Sequence, residues 1–105
     1  MNKFIRGDPA FVGKATGKII KVDSIMKLKE KKGRILVVKN LTPDLTPFLF
    51  DLEGIIIEMG GILTHGTIVA RELKIPCIVG VKNATSLFSE NQSIEMDGGT
   101  GEINY

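Results

Sequence analysis

At 105 residues the chain has the size of one ordinary domain, enough for a single two- or three-layer core and too little for several catalytic modules. A hydrophobic share of 43% and a charged share of 25% are those of a globular protein, and no apolar run is long enough to span a bilayer as a helix. The formal net charge of +2 and an aromatic share of 6%, with no basic patch interleaved with stacking residues, argue for neither a nucleic-acid nor a membrane partner. Met1 to Gly7 lacks the apolar core of a signal peptide, so the cytoplasm is the expected compartment.

In chain order, Gly13 to Val22 is the first run rich in β-branched and apolar residues, and it reads as a strand. Ser24 then opens a predicted helix over Ile25 to Lys32, terminated by Gly33. The charge run Lys27 to Lys32 sits at the end of that helix, where lysines favour the negative pole; the alternative is a partner-docking face. Arg34 to Lys39 is a second strand, and Thr46-Pro47 opens a short apolar turn through Phe50. Gly54 to Glu58 is a third strand. The main helix runs from about Thr64 to Lys74, with Thr64 as N-cap and Ile68, Val69, Ala70 and Leu73 as its apolar face. Strands at Cys77 to Val81 and Ser93 to Met96 follow, and Gly101 to Tyr105 supplies a last strand after the Asp97-Gly98-Gly99 turn. Strands mixed with short helices and a glycine-rich hairpin near the end favour an α/β layered domain over an all-β sandwich.

Chemistry concentrates where the main helix begins. His65, the one histidine, lies in Gly60-Gly61-Ile62-Leu63-Thr64-His65-Gly66-Thr67. A helix start presents unpaired N–H groups and the positive end of the macrodipole, which attract an anion and disfavour a protonated imidazole. A neutral imidazole is a nucleophile, and a phosphoryl group placed on it meets donors already aimed at it. Gly60 and Gly61 permit the turn and keep the approach open. The residues alone leave a second reading standing, in which His65 caps or packs at a helix start and the glycines only make a turn.

The run Gly60 to His65, followed by Ile68 to Gly80, closely resembles the phosphohistidine signature of the PEP-utilising enzymes, and the chain is similar to their mobile, swivelling domain. These include pyruvate phosphate dikinase, phosphoenolpyruvate synthase, enzyme I of the sugar phosphotransferase system, glucan water dikinases and rifamycin phosphotransferases. The resemblance extends to Gly7–Gly17, to Thr46-Pro47, to Gly54–Glu58, and to Asp97-Gly98 with Gly101. Departures are modest: Thr64 stands where serine is frequent, Gly66 and Thr67 where small alanines are frequent, and Phe11-Val12 where Ser-Pro is common. It implies a β/β/α layered swivelling phosphohistidine domain spanning residues 1–105. It further implies a phosphoryl carrier, with His65 charged through its far nitrogen, Nε2, and Nδ1 oriented by a backbone carbonyl or the Thr64 hydroxyl. Thr64, Gly66 and Thr67 are the expected phosphoryl-stabilising residues, and Gly60 and Gly61 the supporting loop.

The chain has no phosphate-binding Gly-x-x-x-x-Gly-Lys-[Ser/Thr] loop and no carboxylate spacing that suggests a metal cage, so no tightly bound cofactor or metal is expected. Mg²⁺ is expected only on partner domains, together with ATP or PEP, and His65 has to visit those ATP-binding or PEP- and pyruvate-binding partners. Arg71 lies six helical residues on, about 600° of rotation and about 9 Å of rise from His65, and is read as a docking residue or a surface ion-pair partner. Cys77 is expected as a buried strand residue. The competing function is a non-catalytic binding or regulatory module that keeps the fold.

Overall fold

The computed structural model describes residues 2–27, 31–61 and 64–105. Among them, eight strands form one mixed sheet in the order β1-β8-β7-β3-β4-β5-β6-β2. The strands are β1 (Phe4–Arg6), β2 (Asp8–Phe11), β3 (Lys14–Lys21), β4 (Arg34–Val38), β5 (Gly54–Ile57), β6 (Cys77–Val79), β7 (Ser93–Asp97) and β8 (Glu102–Asn104). β3, β4, β5 and β6 are mutually parallel, while the remaining pairings are antiparallel.

The two ends of this order, β1 and β2, are separated along the chain by Gly7 alone, so one extended stretch bridges both ends and the sheet curls on itself. The parallel strands are therefore covered on both faces, which is why they read as near-continuous apolar runs rather than alternating ones. On one face Ile20, Leu36, Ile55 and Cys77 pack with Leu45, Leu49, Val69 and Ala70. On the other, Ile19, Ile35, Ile56 and Ile78 pack with Phe88, Ile94, Met96 and Ile103. The result is two β layers and one helical layer, the β/β/α arrangement that the resemblance implies.

The helical layer is carried by α2 (His65–Leu73), and two single turns, α1 (Val22–Ile25) and α3 (Ala84–Leu87), lie elsewhere. α2 closes on Lys74 in the left-handed conformation, with the Lys74 amide donating to the carbonyls of Ala70 and Arg71. Ile68 departs from expectation: Val69 and Ala70 are buried, but Ile68 is 50% exposed. The burial of Gly66, Thr67, Val69 and Ala70 turns the inward stripe away from it.

Two other expectations change, and three elements are added. The helix assigned to Ile25–Lys32 begins earlier, and its turn is Val22–Ile25 with Ser24 inside it rather than at its cap; Leu28, Lys29 and Glu30 lie outside the described residues, as does the middle of the charge run. Lys31 is not helical and holds its ammonium over the Phe48 ring at 5.5 Å. The turn assigned to Thr46-Pro47 starts one Thr-Pro pair sooner, as a 3-10 helix over Pro43–Phe48, because Pro43 takes the first helical position, where a missing N–H costs nothing. β1 and β2 were not legible, since Gly7 and Pro9 interrupt the first apolar run as residues that demote a strand, and α3, a single turn over Ala84–Leu87, is too short to show a helical period.

Candidate functional site

The parallel strands β3 to β6 all end on one edge, and the segments leaving them converge there: Lys21-Val22, Lys39 to Thr42, Glu58 to Gly61, and Gly80 to Thr85. In open α/β sheets this carboxyl edge is where ligands gather, because helix starts and strand ends face the same crevice. His65 is the first residue of α2, which follows β5, and is exposed on this edge.

The geometry that puts it there is local. Glu58 and Met59 leave β5 with their amides donating to Val38 and Lys39 carbonyls at 2.9 and 3.0 Å. Gly60 then adopts φ +109°, a left-handed value that side-chain-bearing residues rarely take, and the chain turns back toward α2. Ile62 and Leu63 lie outside the described residues. The Thr64 amide donates to the Gly61 carbonyl at 3.2 Å. Gly66 is buried, and a Cβ there would stand 2.6 Å from Ile57 Cδ1 and 3.0 Å from Leu41 Cβ, so the first turn of α2 sits directly on the sheet edge.

Thr64 occupies the N-cap position, but its hydroxyl makes no capping bond. Its Oγ1 is shielded from solvent and hydrogen-bonds neither a helix N–H nor the imidazole, which corrects both expectations for it. Such an atom costs about 1–3 kcal/mol of lost hydration when nothing replaces the water. Thr67 is buried, with its hydroxyl donating to the Thr64 carbonyl at 2.8 Å, so this hydroxyl braces the helix start from within. Arg71 is exposed in the last turn of α2, away from His65, as the helical arithmetic requires.

Two features of this edge were not singled out from sequence. Glu58 Oε1 accepts hydrogen bonds from both the amide and the hydroxyl of Thr85, at 2.9 and 2.7 Å. These Thr85 bonds, with a smaller contribution from Lys39, hold the Glu58 carboxyl below the usual carboxylate range. The Thr85 carbonyl in turn accepts from Lys21 Nζ at 2.7 Å. Beside this cluster lies a groove of about 560 Å³ whose lining includes Lys21, Val22, Met26, Lys39, Thr42 and Thr85; His65 does not line it. Among the described residues, no group of three or more His, Cys, Asp or Glu side chains is placed to hold a metal ion, and no helix is long and apolar enough to cross a membrane.

A profile of the "PEP-utilising enzyme, mobile domain" family matches residues 30–101. The chain belongs to this family. A probable phosphoenolpyruvate synthase of Methanothermobacter thermautotrophicus is 42% identical over 94% of the chain, and a rifampicin phosphotransferase of Bacillus cereus is 35% identical over 94%. The chain spans only 15% and 11% of those relatives, so in them a mobile domain of this kind is a small part of a larger protein. A solved structure of enzyme I is 30% identical and superposes with a TM-score of 0.63, over 75% of this chain and 32% of that one.

Proposed function

We propose that this mobile domain is a phosphoryl carrier in which His65 takes a phosphoryl group from ATP or PEP bound on a partner domain and delivers it to an acceptor such as pyruvate. The observation that carries the reading is His65 itself: an exposed imidazole at the first residue of a nine-residue helix, on the carboxyl edge of four parallel strands, in a chain of this family. An Nε2 lone pair attacks the phosphorus, the bond from phosphorus to the donor oxygen breaks, and that oxygen leaves with the electron pair. The start of α2 then meets the phosphoryl oxygens with backbone donors and dipole, and the Thr64 hydroxyl, which has no partner, is the side-chain donor nearest in sequence to His65.

The chain works as one carrier unit over residues 1–105. His65 stands outside the neighbouring groove, so the clamps on donor and acceptor belong to the partners, as does any Mg²⁺ that accompanies ATP or PEP. Arg71 suits a docking contact with such a partner. A carrier charged from ATP or PEP is proposed to work in the cytoplasm, where those donors are made and used.

The test is phosphorus NMR of the domain with its donor module and either ATP or PEP. One acid-labile, alkali-stable phosphoramidate signal, absent from His65→Ala, is expected. Labelling of His65→Ala, or a stable phosphoester on Thr64 or Thr67, would overturn the carrier mechanism, and complete absence of label would favour a non-catalytic module.

A further inference from the structure

The segment bearing His65 leaves the sheet at Glu58 and rejoins it at Gly66, and its two roots are held differently. At the return, Gly66 packs on Ile57 and Leu41. At the departure, backbone bonds tie Glu58 to Val38 at the end of β4 and Met59 to Lys39 just beyond it, and Asn40 Nδ2 donates to Met59 Sδ at 3.7 Å. Toward the β6 side, the side-chain tie is the Glu58 carboxylate, bonded twice to Thr85. Directly beyond it come Gly60 and Gly61, which resist bending less than any other residues. A carboxylate accepting two bonds makes a stronger and more directional tie than a neutral pair. Thr85 is itself pinned, through its carbonyl, by Lys21 at the end of β3.

We infer that Glu58 and Thr85 are positioning residues for His65: their paired hydrogen bonds fix the angle at which the glycine turn departs, and so where the imidazole stands on the sheet edge. The inference rests on the carrier reading for its kinetic consequence, but not for its structural one. Neither side chain touches the transferred group. The competing explanation is that Glu58 merely caps the short helix α3, since the Thr85 amide belongs to its first turn. That role would stabilise the fold without altering the chemistry of His65.

The experiment uses the full chain and potassium phosphoramidate as a small phosphoryl donor, whose P–N bond breaks with loss of ammonia as the bond to His65 forms. Rates are read by phosphorus NMR well below the melting temperature of each variant. Glu58→Ala and Thr85→Val are each expected to slow formation of phosphohistidine, or hasten its hydrolysis, at least fivefold. Thr85→Ser, which keeps the hydroxyl, should return both rates to within twofold of wild type, and Glu58→Ala/Thr85→Val should be no worse than Glu58→Ala alone. In parallel, amide spectra of Glu58→Ala and Glu58→Gln should show Gly60, Gly61, Thr64 and His65 shifted or exchange-broadened, more strongly in the alanine variant. Lower melting temperatures with wild-type rates and undisturbed His65 signals would reduce the pair to a helix cap and overturn the inference. If wild type takes no phosphoryl group from this small donor, the amide spectra decide whether the pair positions the loop, while the carrier reading is judged separately with its donor module and ATP or PEP. If Glu58→Ala does not fold, Glu58→Gln and Thr85→Val carry the same comparison.

Discussion

Replacing Gly98 by alanine separates what a glycine does for backbone freedom from what it does for packing. Gly98 is not in the left-handed region, so by backbone entropy alone an alanine there would stabilise the fold by about 0.4–1 kcal/mol. The packing argues the opposite way and more strongly. A Cβ at Gly98 would lie 1.9 Å from the Phe11 carbonyl oxygen and 3.2 Å from the Cys77 amide nitrogen, where β2 pairs with β6 and closes the curled sheet. Carbon needs roughly 3.3 Å from such an oxygen, so the turn has to retreat by more than an ångström. That movement strains the bond from the Gly98 amide to the Gly13 carbonyl, now 2.7 Å, and opens the β2–β6 seam. Overpacking of this kind costs about 1–3 kcal/mol, and a stretched buried bond adds about 1 kcal/mol. The expected net loss is about 2–3 kcal/mol, which for a domain of this size lowers the melting temperature by roughly 10–20 °C. Urea unfolding and calorimetry measure it, with Gly61→Ala as control, because a Cβ at Gly61 meets no described atom within 4 Å. If Gly98→Ala melts with wild type, or if the two variants shift equally, the closed-seam argument is wrong.

His65→Ala should keep the stability of the fold within about 0.5 kcal/mol, because the side chain is exposed, and a loss of 3 kcal/mol or more in denaturant would mean that the imidazole is a packing element. Thr64→Val removes a shielded hydroxyl that has no partner, so its unfolding free energy should be unchanged or raised by about 1 kcal/mol, while the lifetime of phosphohistidine shortens; marked destabilisation would show that the hydroxyl is already satisfied. The Glu58 carboxyl is held below its ordinary value of 4.5, so its contribution to stability is complete above that pH and disappears as pH falls through the depressed value. Carbon-13 titration of Glu58 checks this, and a midpoint at or above the ordinary value would contradict it. Burial pushes the Cys77 thiol up to about 12, so a disulfide reagent should modify it only after unfolding; rapid labelling of the native protein would place it on the surface.

Much of this architecture was present in the amino-acid order, for a physical reason. Strands β4 to β6 are dense in isoleucine and valine, and β3, β7 and β8 alternate apolar with polar residues beside Gly, Asn or Asp, so local preference and burial agree and the limits of all six fall within about two residues of the sequence reading. The same holds for α2 and for Cys77, whose neighbours Ile75, Ile78 and Val79 left it no exposed environment. The place of His65 at the start of α2 was legible because a glycine pair followed by Thr64 and an apolar-periodic run is a local helix-start pattern. What the order alone did not decide was anything requiring two distant segments to meet. Phe4–Arg6 and Asp8–Phe11 become strands only because β8 and β6 offer them free edges, despite Gly7 and Pro9. Thr64 has the residue type of an N-cap and the N-cap position, yet its hydroxyl is shielded without a bond, an outcome of how the chain packs around it and not of residue type. Ile68 looks like core by type and is turned outward because Gly66 and Thr67, the smaller residues, face the sheet instead. Glu58 and Thr85 are 27 positions apart, and neither carries a sign of the other; only the parallel stacking of β5 against β6 brings that carboxylate to the start of α3. Local preference is encoded residue by residue, whereas the environment of a side chain at the sheet edge is set by which strands become neighbours.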